Sequence, residues 1–446
     1  MYTYIDLFAG PGGLCTGFKN AGFKPLIAVE MSDNTVKTYA RNHEAEVYSL
    51  QELLENKGRL EEILNINTDN TCLIHGDIRL VDNDIIVEIL QKKFKTNSVD
   101  VVAGGPPCES FSLAGKRIDG DERDDLFKNM LRIASISNSK FIFFENVPGL
   151  LTKKSNNIKV FDVIVEEFDN YGYNLASTDK NIIKCLAADY GVPQNRERVF
   201  LIGINKMYGE NPYIYPEKTH GEGRKFEYIS VSDALRYLPE LNSGEGADIQ
   251  QITYNFEEDF RKGKISEAVY NYLKFIAGKE GYIPPHIKES IDDGLIEIHK
   301  AVKHREKMIN RMSYIKQGEG MKKAAERLLN EGKEDIVRAY FPNKLYAARN
   351  RRLKANEPSF TVTSHCLDEM VHPYNNRGLT PREAARLQSF PDWYVFEGEY
   401  VKFHSDPQQD KYEQCGDAIP VLLVQALAEQ LKIALNIVSE RTSINK

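Results

Sequence analysis

A cysteine at the end of an apolar run is the first feature of this chain that could do chemistry. Val99 to Ala103 reads as a buried strand and runs into Gly104-Gly105-Pro106-Pro107-Cys108-Glu109-Ser110-Phe111-Ser112. In an open α/β sheet, ligands and reacting groups gather at the carboxyl ends of the strands. Two prolines stiffen the backbone and remove two N–H donors, which fixes the direction of the next side chain. That side chain is a thiol, a strong nucleophile once ionised. A lone cysteine is as often a small buried apolar group, and on this stretch alone the two readings stand level.

Other polar groups sit at the ends of apolar runs. Lys140 to Phe144 ends in Glu145-Asn146-Val147-Pro148-Gly149-Leu150. A glutamate among Phe141, Ile142, Phe143, Phe144 and Val147 should have a raised pKa and serve as a proton donor near neutrality. Tyr2 to Phe8 leads into Ala9-Gly10-Pro11-Gly12-Gly13-Leu14, a turn through which a cofactor can approach the backbone. Cys15 stands where a dinucleotide fingerprint needs its third glycine, which disfavours NAD and a dehydrogenase. Glu30, after a strand from Pro25 to Val29, is placed to accept from ribose hydroxyls. Asp77, after a strand from Thr71 to Ile74, can accept from an amino group. Gln194, Arg196 and Arg198 alternate and are expected on one face of an extended segment, suited to a carbonyl or oxyanion. Leu113 to Arg123 is a long polar stretch whose Lys116, Arg117 and Arg123 could clamp phosphates.

These groups need a scaffold. Strands and helices alternate: helices 14–21 and 34–42, a polar helical stretch 50–64, then helices 124–134 and 159–171. Strands 178–186 and 199–204 follow. The order implies an α/β fold with a doubly wound, mostly parallel sheet. A chain of 446 residues exceeds one ordinary core. From about Lys206 the sequence turns tyrosine-rich and is broken by Gly and Pro, so a second, smaller domain is expected as an insert. The expected division is 1–204, 205–375 and a return to the first domain over 376–446. Thr380, Pro381 and Glu383 form a capping signature, and a helix starting near Pro420 carries an apolar face suited to the sheet.

Composition narrows the class. The chain is 41% hydrophobic and 28% charged, as in globular proteins. No apolar run is expected to reach the roughly 18 residues of a membrane span. The first residues lack a secretion signal. Six cysteines stand singly, with no Cys-x-x-Cys pair, so neither a metal site nor a disulfide framework is indicated. A cytoplasmic setting is the expectation. The net charge is −7, yet residues 301–354 hold fifteen Lys/Arg against six Asp/Glu. Such a segment can bind a polyanion or be a solvated helical face.

Taken together, DLFAGPGGL at 6–14, GGPPCESFS at 104–112, FENVPGL at 144–150, GVPQNRERVFLIG at 191–203, RGLTPREAARLQSFPDWY at 377–394 and QCGDAIP at 414–420 resemble the DNA (cytosine-5) methyltransferase family of bacterial restriction–modification systems. The resemblance implies an S-adenosylmethionine-dependent methyltransferase fold, with S-adenosylhomocysteine as product. It implies catalytic roles for Cys108, Glu145, Arg196 and Arg198. Cys108 would attack carbon 6 of a flipped-out cytosine, placing electron density on carbon 5. Glu145 would hold ring nitrogen 3 and the exocyclic amine, and Arg198 the carbonyl oxygen, with Arg196 and Gln194 supporting the backbone. Gln194, Ser112, Lys116, Arg117 and Asn146 are implied on the substrate side. For the cofactor it implies Phe8, Gly10, Gly12, Gly13, Leu14, Glu30, Met31, Asp77, Ile78, Pro106, Asp417 and Ala418. Region 205–375 takes the place of the target recognition domain, and double-stranded DNA is the implied partner. Monomeric action is the family expectation, with no membrane partner; a cognate restriction endonuclease and the target sequence are not legible. Glu109 and Asp417 depart from the family's commoner glutamine and asparagine. A tRNA methyltransferase of the same fold and an inactive DNA-binding homologue are the alternatives.

Overall fold

The computed structural model describes residues 1–66, 68–107, 125–155, 157–291, 294–402, 406 and 408–444. Cys108, Glu109, Ser112, Lys116, Arg117 and Arg123 lie outside the described residues. The chain forms two compact units, one of residues 1–186, 197–217 and 423–446, the other of 187–196 and 218–422. The return to the first unit therefore comes at 423 rather than 376, and 187–196 belongs to the second unit. The physical reason lies in the helix Pro381–Leu387, which packs in the core of the second unit.

The first unit is built on a nine-stranded sheet among the described residues. Six strands are parallel: β1 (Tyr2–Leu7), β2 (Phe23–Glu30), β3 (Glu46–Ser49), β4 (Cys72–His75), β5 (Val101–Gly104) and β6 (Phe141–Asn146). After a small hairpin of β7 (Lys154–Ser155) and β8 (Ile158–Lys159) come β9 (Tyr173–Leu175), β10 (Lys184–Leu186) and, beyond β11 (Gln194–Asn195) of the other unit, β12 (Glu197–Asn205). The sheet runs β10-β12-β6-β5-β1-β2-β4-β3, with β9 also on β12, and β9, β10 and β12 pair antiparallel. The chain leaves β1 toward β2 and later crosses back to place β5 on the other side of β1. That reversal opens a crevice at the carboxyl ends of β1 and β5.

Alternation along β6 shows how both faces are covered. Phe143 meets Phe18 of α1 (Gly13–Asn20) edge-on at 5.1 Å, while Phe144 meets Phe127 of the helix Asp125–Ile136 at 5.5 Å. Consecutive strand residues point to opposite faces, so one apolar strand serves two helical layers. Close approach of backbone explains Gly104, since a Cβ there would overlap Leu7 O on β1.

Several local expectations are corrected. The polar stretch 50–64 is two helices, Leu50–Glu55 and Lys57–Asn65, because extended Asn56 ends one and caps the next through Gly58 N. Asp179 caps a short helix, Lys180–Ile183, where a continuous strand 178–186 was expected. By length and composition, residues 411–443 include a helix apolar enough to cross a membrane, contrary to expectation. In the first unit Val424, Leu427, Leu431 and Leu435 of that helix are buried, and Val424 lies against Gly17. Its apolar side is core.

The second unit holds Pro381–Leu387 in its core, with the Thr380–Glu383 capping box formed as the sequence implied. Glu383 is buried with Arg377, Nη2 to Oε1 at 2.7 Å, and Arg386 is buried on Asp392 at 2.6 Å. A separate small core gathers Ile315, Met321, Ala324, Ala325, Leu328 and Phe341.

Candidate active site

Parallel pairing of β5 with β6 sets Gly104 beside Phe144. The residues that follow, Gly105 and Glu145, lie side by side: a Cβ on Gly105 would overlap Glu145 Oε2. Asn146 donates from Nδ2 to the carbonyl of Pro106 at 2.9 Å, and both residues are buried. The strand tip of β6 thus holds the first proline of the pair that leads to Cys108. On the other flank, β12 runs antiparallel to β6 and brings Arg198 Nε to 2.9 Å from Glu145 Oε1. Arg198 also donates to Glu197 O at 2.8 Å. With side chains 14% and 10% exposed, this is a nearly buried ion pair whose partners balance each other's charge. It joins two of the implied catalytic residues directly.

The five described cysteines, Cys15, Cys72, Cys185, Cys366 and Cys415, are all buried. Burial pushes the thiols of Cys15, Cys72 and Cys415 up to about 11, 12 and 12, and that of Cys366 upward as well. Such thiols stay protonated near neutrality and are poor nucleophiles.

The glycine turn after β1 uses left-handed backbone three times, at Phe8 (φ 54°), Gly10 (φ 55°) and Gly12 (φ 89°). Glycine carries this freely, whereas Phe8 is held there against a steric penalty. Gly12 also serves as the N-cap of α1 without a side-chain cap bond. Glu30 organises the turn: its carboxylate accepts Gly10 N, Met31 N and Ser32 N, each at 2.9 Å. Burial raises the Glu30 pKa, against the pull of those three N–H groups. A carboxylate offers about four lone-pair sites, so Glu30 keeps capacity for a hydroxyl, as a ribose ligand needs. Gly13 and Leu14 are buried at the start of α1, Ile78 and Pro106 are buried, and Met31 is 67% exposed. Asp77 accepts from Arg79 N and pairs with the Arg79 guanidinium. Burial raises the Asp77 pKa, but the Arg79 hydrogen bonds and charge hold it below the usual carboxylate range. Serving an adenine would mean sharing that arginine.

Gln194, Arg196 and Arg198 do not share one task. Gln194 is fully buried, with Nε2 on Leu387 O at 3.0 Å and Gln388 Oε1 at 2.9 Å, and Oε1 accepting Val362 N at 2.8 Å. Arg196 is 1% exposed and donates to Val362 O at 2.6 Å and Gly416 O at 2.8 Å. Both side chains therefore brace main chain inside the second unit, in keeping with the backbone-supporting part that the resemblance implies for them. Arg198 alone turns to Glu145. Asn146 likewise has its amide on Pro106 where a substrate contact was expected. Asp417 accepts Gln409 Nε2 at 2.7 Å, and Ala418 is buried with its carbonyl receiving Gln388 Nε2 at 3.2 Å.

Sequence reasoning missed Gln388, which links Gln194 to the carbonyls of Cys415 and Ala418. It lies in the stretch 377–394 already singled out, but nothing local marks which polar side chain there turns inward. Gly416 was read only for its neighbour. A Cβ there would overlap the backbone of Thr363 and Ser364, so glycine is required by packing.

Comparisons with known proteins bear on the family and the fold. The model of the C-5 cytosine-specific DNA methylase family matches residues 2–67 and 53–433. The Type II methyltransferase M.DdeI of Desulfomicrobium norvegicum is 32% identical over 96% of this chain and 88% of its own length. The Type II methyltransferase M1.HphI of Haemophilus parahaemolyticus is 31% identical over 96% of this chain and 86% of its own. A crystal structure of an Escherichia coli prophage protein, described as a DNA modification methyltransferase, superposes with a TM-score of 0.67. It covers 98% of this chain and 100% of that one at 22% identity, a likeness of fold. A family match across nearly the whole length, relatives above 30% identity and an open parallel sheet with its turns intact converge on one conclusion: the chain belongs to the C-5 cytosine-specific DNA methylase family and is a DNA cytosine-5 methyltransferase.

Proposed function

We propose that this enzyme methylates carbon 5 of a flipped-out cytosine within a short specific sequence of duplex DNA, through a covalent bond from Cys108. The observation that carries the reading is the Arg198–Glu145 pair beside Gly105, with Asn146 holding Pro106. A guanidinium and a carboxyl at neighbouring strand tips match the polar edge of a cytosine. Arg198 donates to the ring carbonyl, while Glu145 accepts from the exocyclic amine and bears the proton at ring nitrogen 3. Cys108 sulfur adds to carbon 6, the electron pair moves to carbon 5, and ring nitrogen 3 takes the proton. The high thiol pKa values of the buried cysteines favour Cys108 for this role. As carbon 5 is methylated, ring nitrogen 3 returns its proton to Glu145; loss of the carbon 5 proton to water then re-forms the ring double bond and expels the cysteine as its thiolate.

Glu30, with Phe8, Gly10 and Gly12 shaping the turn, is suited to hold S-adenosylmethionine. When bound, that cofactor supplies an electrophilic methyl group. Asp77, Ile78, Leu14, Met31 and Pro106 are the other cofactor-side residues in the first unit. Target recognition belongs to the second unit within 205–375. Ser112, Lys116 and Arg117 complete the substrate side. The names of the relatives support modification within a type II restriction–modification system; the reading places the enzyme in the cytoplasm as a monomer.

The test is bisulfite sequencing of DNA from a methylation-free bacterial host expressing the wild type or Cys108→Ala. Protected cytosines in one recurring context, absent with the variant, are the expected result. Soluble wild-type protein that protects none would refute the reading.

A further inference from the structure

We infer that the loop from Pro342 to Arg349 is a DNA-reading element, in which Lys344 seats on a phosphate and Arg349 reads a base edge. The inference rests on the duplex-DNA reading above and deepens it.

The excess of positive charge in 301–354 is not evenly available. Lys322, Arg327, Lys333, Arg351 and Lys354 each reach a carboxylate within 4.0 Å. Arg352 is buried, with its guanidinium spread over Ile315 O, Met312 O, His372 O and Asn375 O. Lys344 and Arg349 reach no carboxylate among the described residues. Instead both flank the ring of Tyr346, with Lys344 Nζ 5.1 Å and Arg349 Cζ 5.2 Å from its centroid. A carboxylate positions a cation by cancelling its charge; an aromatic ring positions it and leaves the charge intact. Tyr346 is itself 44% exposed, so both charges are presented to solvent on a shared support.

The loop is also anchored. Phe341 enters the small core of Ile315, Met321 and Leu328, and Leu345 packs against it. Asn350, at φ 48°, donates to Asp368 O from both N and Nδ2 at 3.0 Å and accepts Arg311 Nη1 at 3.1 Å. Arg351 Nε donates to Ala348 O at 3.2 Å, and Met321 N to Arg349 O at 3.3 Å. Between these anchors Pro342, Asn343, Lys344 and Tyr346 to Arg349 are exposed. A fixed backbone with two uncancelled cations suits a partner whose negative charges are regularly spaced on a stiff rod. Lysine meets phosphate as a point charge, whereas the arginine fork matches the two acceptors of a guanine edge.

Steady-state methylation of an unmethylated plasmid, at several salt concentrations and with bisulfite readout, tests this. Lys344→Ala should raise KM for the plasmid about 10-fold and flatten the salt dependence by about one unit of slope, with contexts unchanged. Arg349→Lys keeps the charge but loses the fork. It should relax one position of the target context by about 10- to 100-fold. Lys322→Ala, removing a cation already paired with Glu326, should leave KM and context as in the wild type. All three side chains are exposed, so melting temperatures should match. Wild-type KM and contexts in both loop variants, or an equal KM rise in Lys322→Ala, would overturn the inference while the duplex-DNA reading stands. A wild type that methylates no plasmid cytosine would overturn both.

Discussion

Asn146 at the end of β6 donates its amide to the carbonyl of Pro106, 2.9 Å away, and so one strand tip holds the backbone of the next. Pro106 is buried. In Asn146→Ala it loses that donor, at a cost of about 1–3 kcal/mol. Urea unfolding should report this loss, and kcat should fall more than KM changes, because the Pro-Pro segment leading to Cys108 loses its tether. Wild-type kcat in the alanine variant would show that the tether is dispensable.

Arg198 and Glu145 form a nearly buried pair, so each is costly to remove alone. Arg198→Ala leaves a carboxylate without its counter-charge and should destabilise by about 3–5 kcal/mol. The double variant Arg198→Met/Glu145→Gln should recover much of that stability while remaining inactive. A double-mutant cycle by urea denaturation, read beside turnover, checks both halves. Additive losses would mean that the pair is not coupled.

Arg196 braces Val362 O and Gly416 O within the second unit. Arg196→Ala should therefore lower the melting temperature, since it strips donors from buried carbonyls. Gly416→Ala should act the same way by overpacking, at about 1–3 kcal/mol. A fall in turnover with an unchanged melting curve for Arg196→Ala would return it to a catalytic role.

Acid should weaken the fold through its buried histidines. Burial lowers the pKa of His220 and of His372 to about 4, and lowers those of His43, His299 and His304 as well. Unfolded, each histidine titrates near about 6.5. Below about pH 6.5 the unfolded chain binds more protons, so this stability is fully present above that pH and is lost as pH falls, for His220 and His372 down to about 4. For the well-buried His372 the slope is about 1.4 kcal/mol per pH unit in that window. Urea titrations from pH 7.5 to 5 should show it, and His372→Gln should flatten it.

Thiol accessibility offers a check independent of turnover. Iodoacetamide at pH 8 should modify one cysteine of the native protein, mapped to Cys108 by mass spectrometry, with loss of activity in step. The raised pKa of Cys15, Cys72, Cys366 and Cys415 should protect them until denaturant is added. Modification of a buried cysteine with Cys108 untouched would contradict the assignment of the nucleophile.

The sequence by itself determined whatever depends on local chemistry and periodicity. The apolar strands, the glycine turn, the Thr380–Glu383 cap and the polar groups at strand ends were all legible, because each follows from neighbours a few residues away. Only the tertiary structure decided how those groups are shared out. Gln194, Arg196 and Arg198 alternate in sequence, yet two turn to main chain of the second unit and one to Glu145. Alternation says which residues share a face of a strand, but the strand β12 begins only at Glu197, and partners 160 or more residues away claim the first two. Gly105 and Gly416 look alike as glycines; what each makes room for, a carboxylate in one case and a backbone in the other, is set by segments distant in the chain. The same holds for Lys344 and Arg349, whose charge is counted by the sequence but left uncancelled only by where the carboxylates fold.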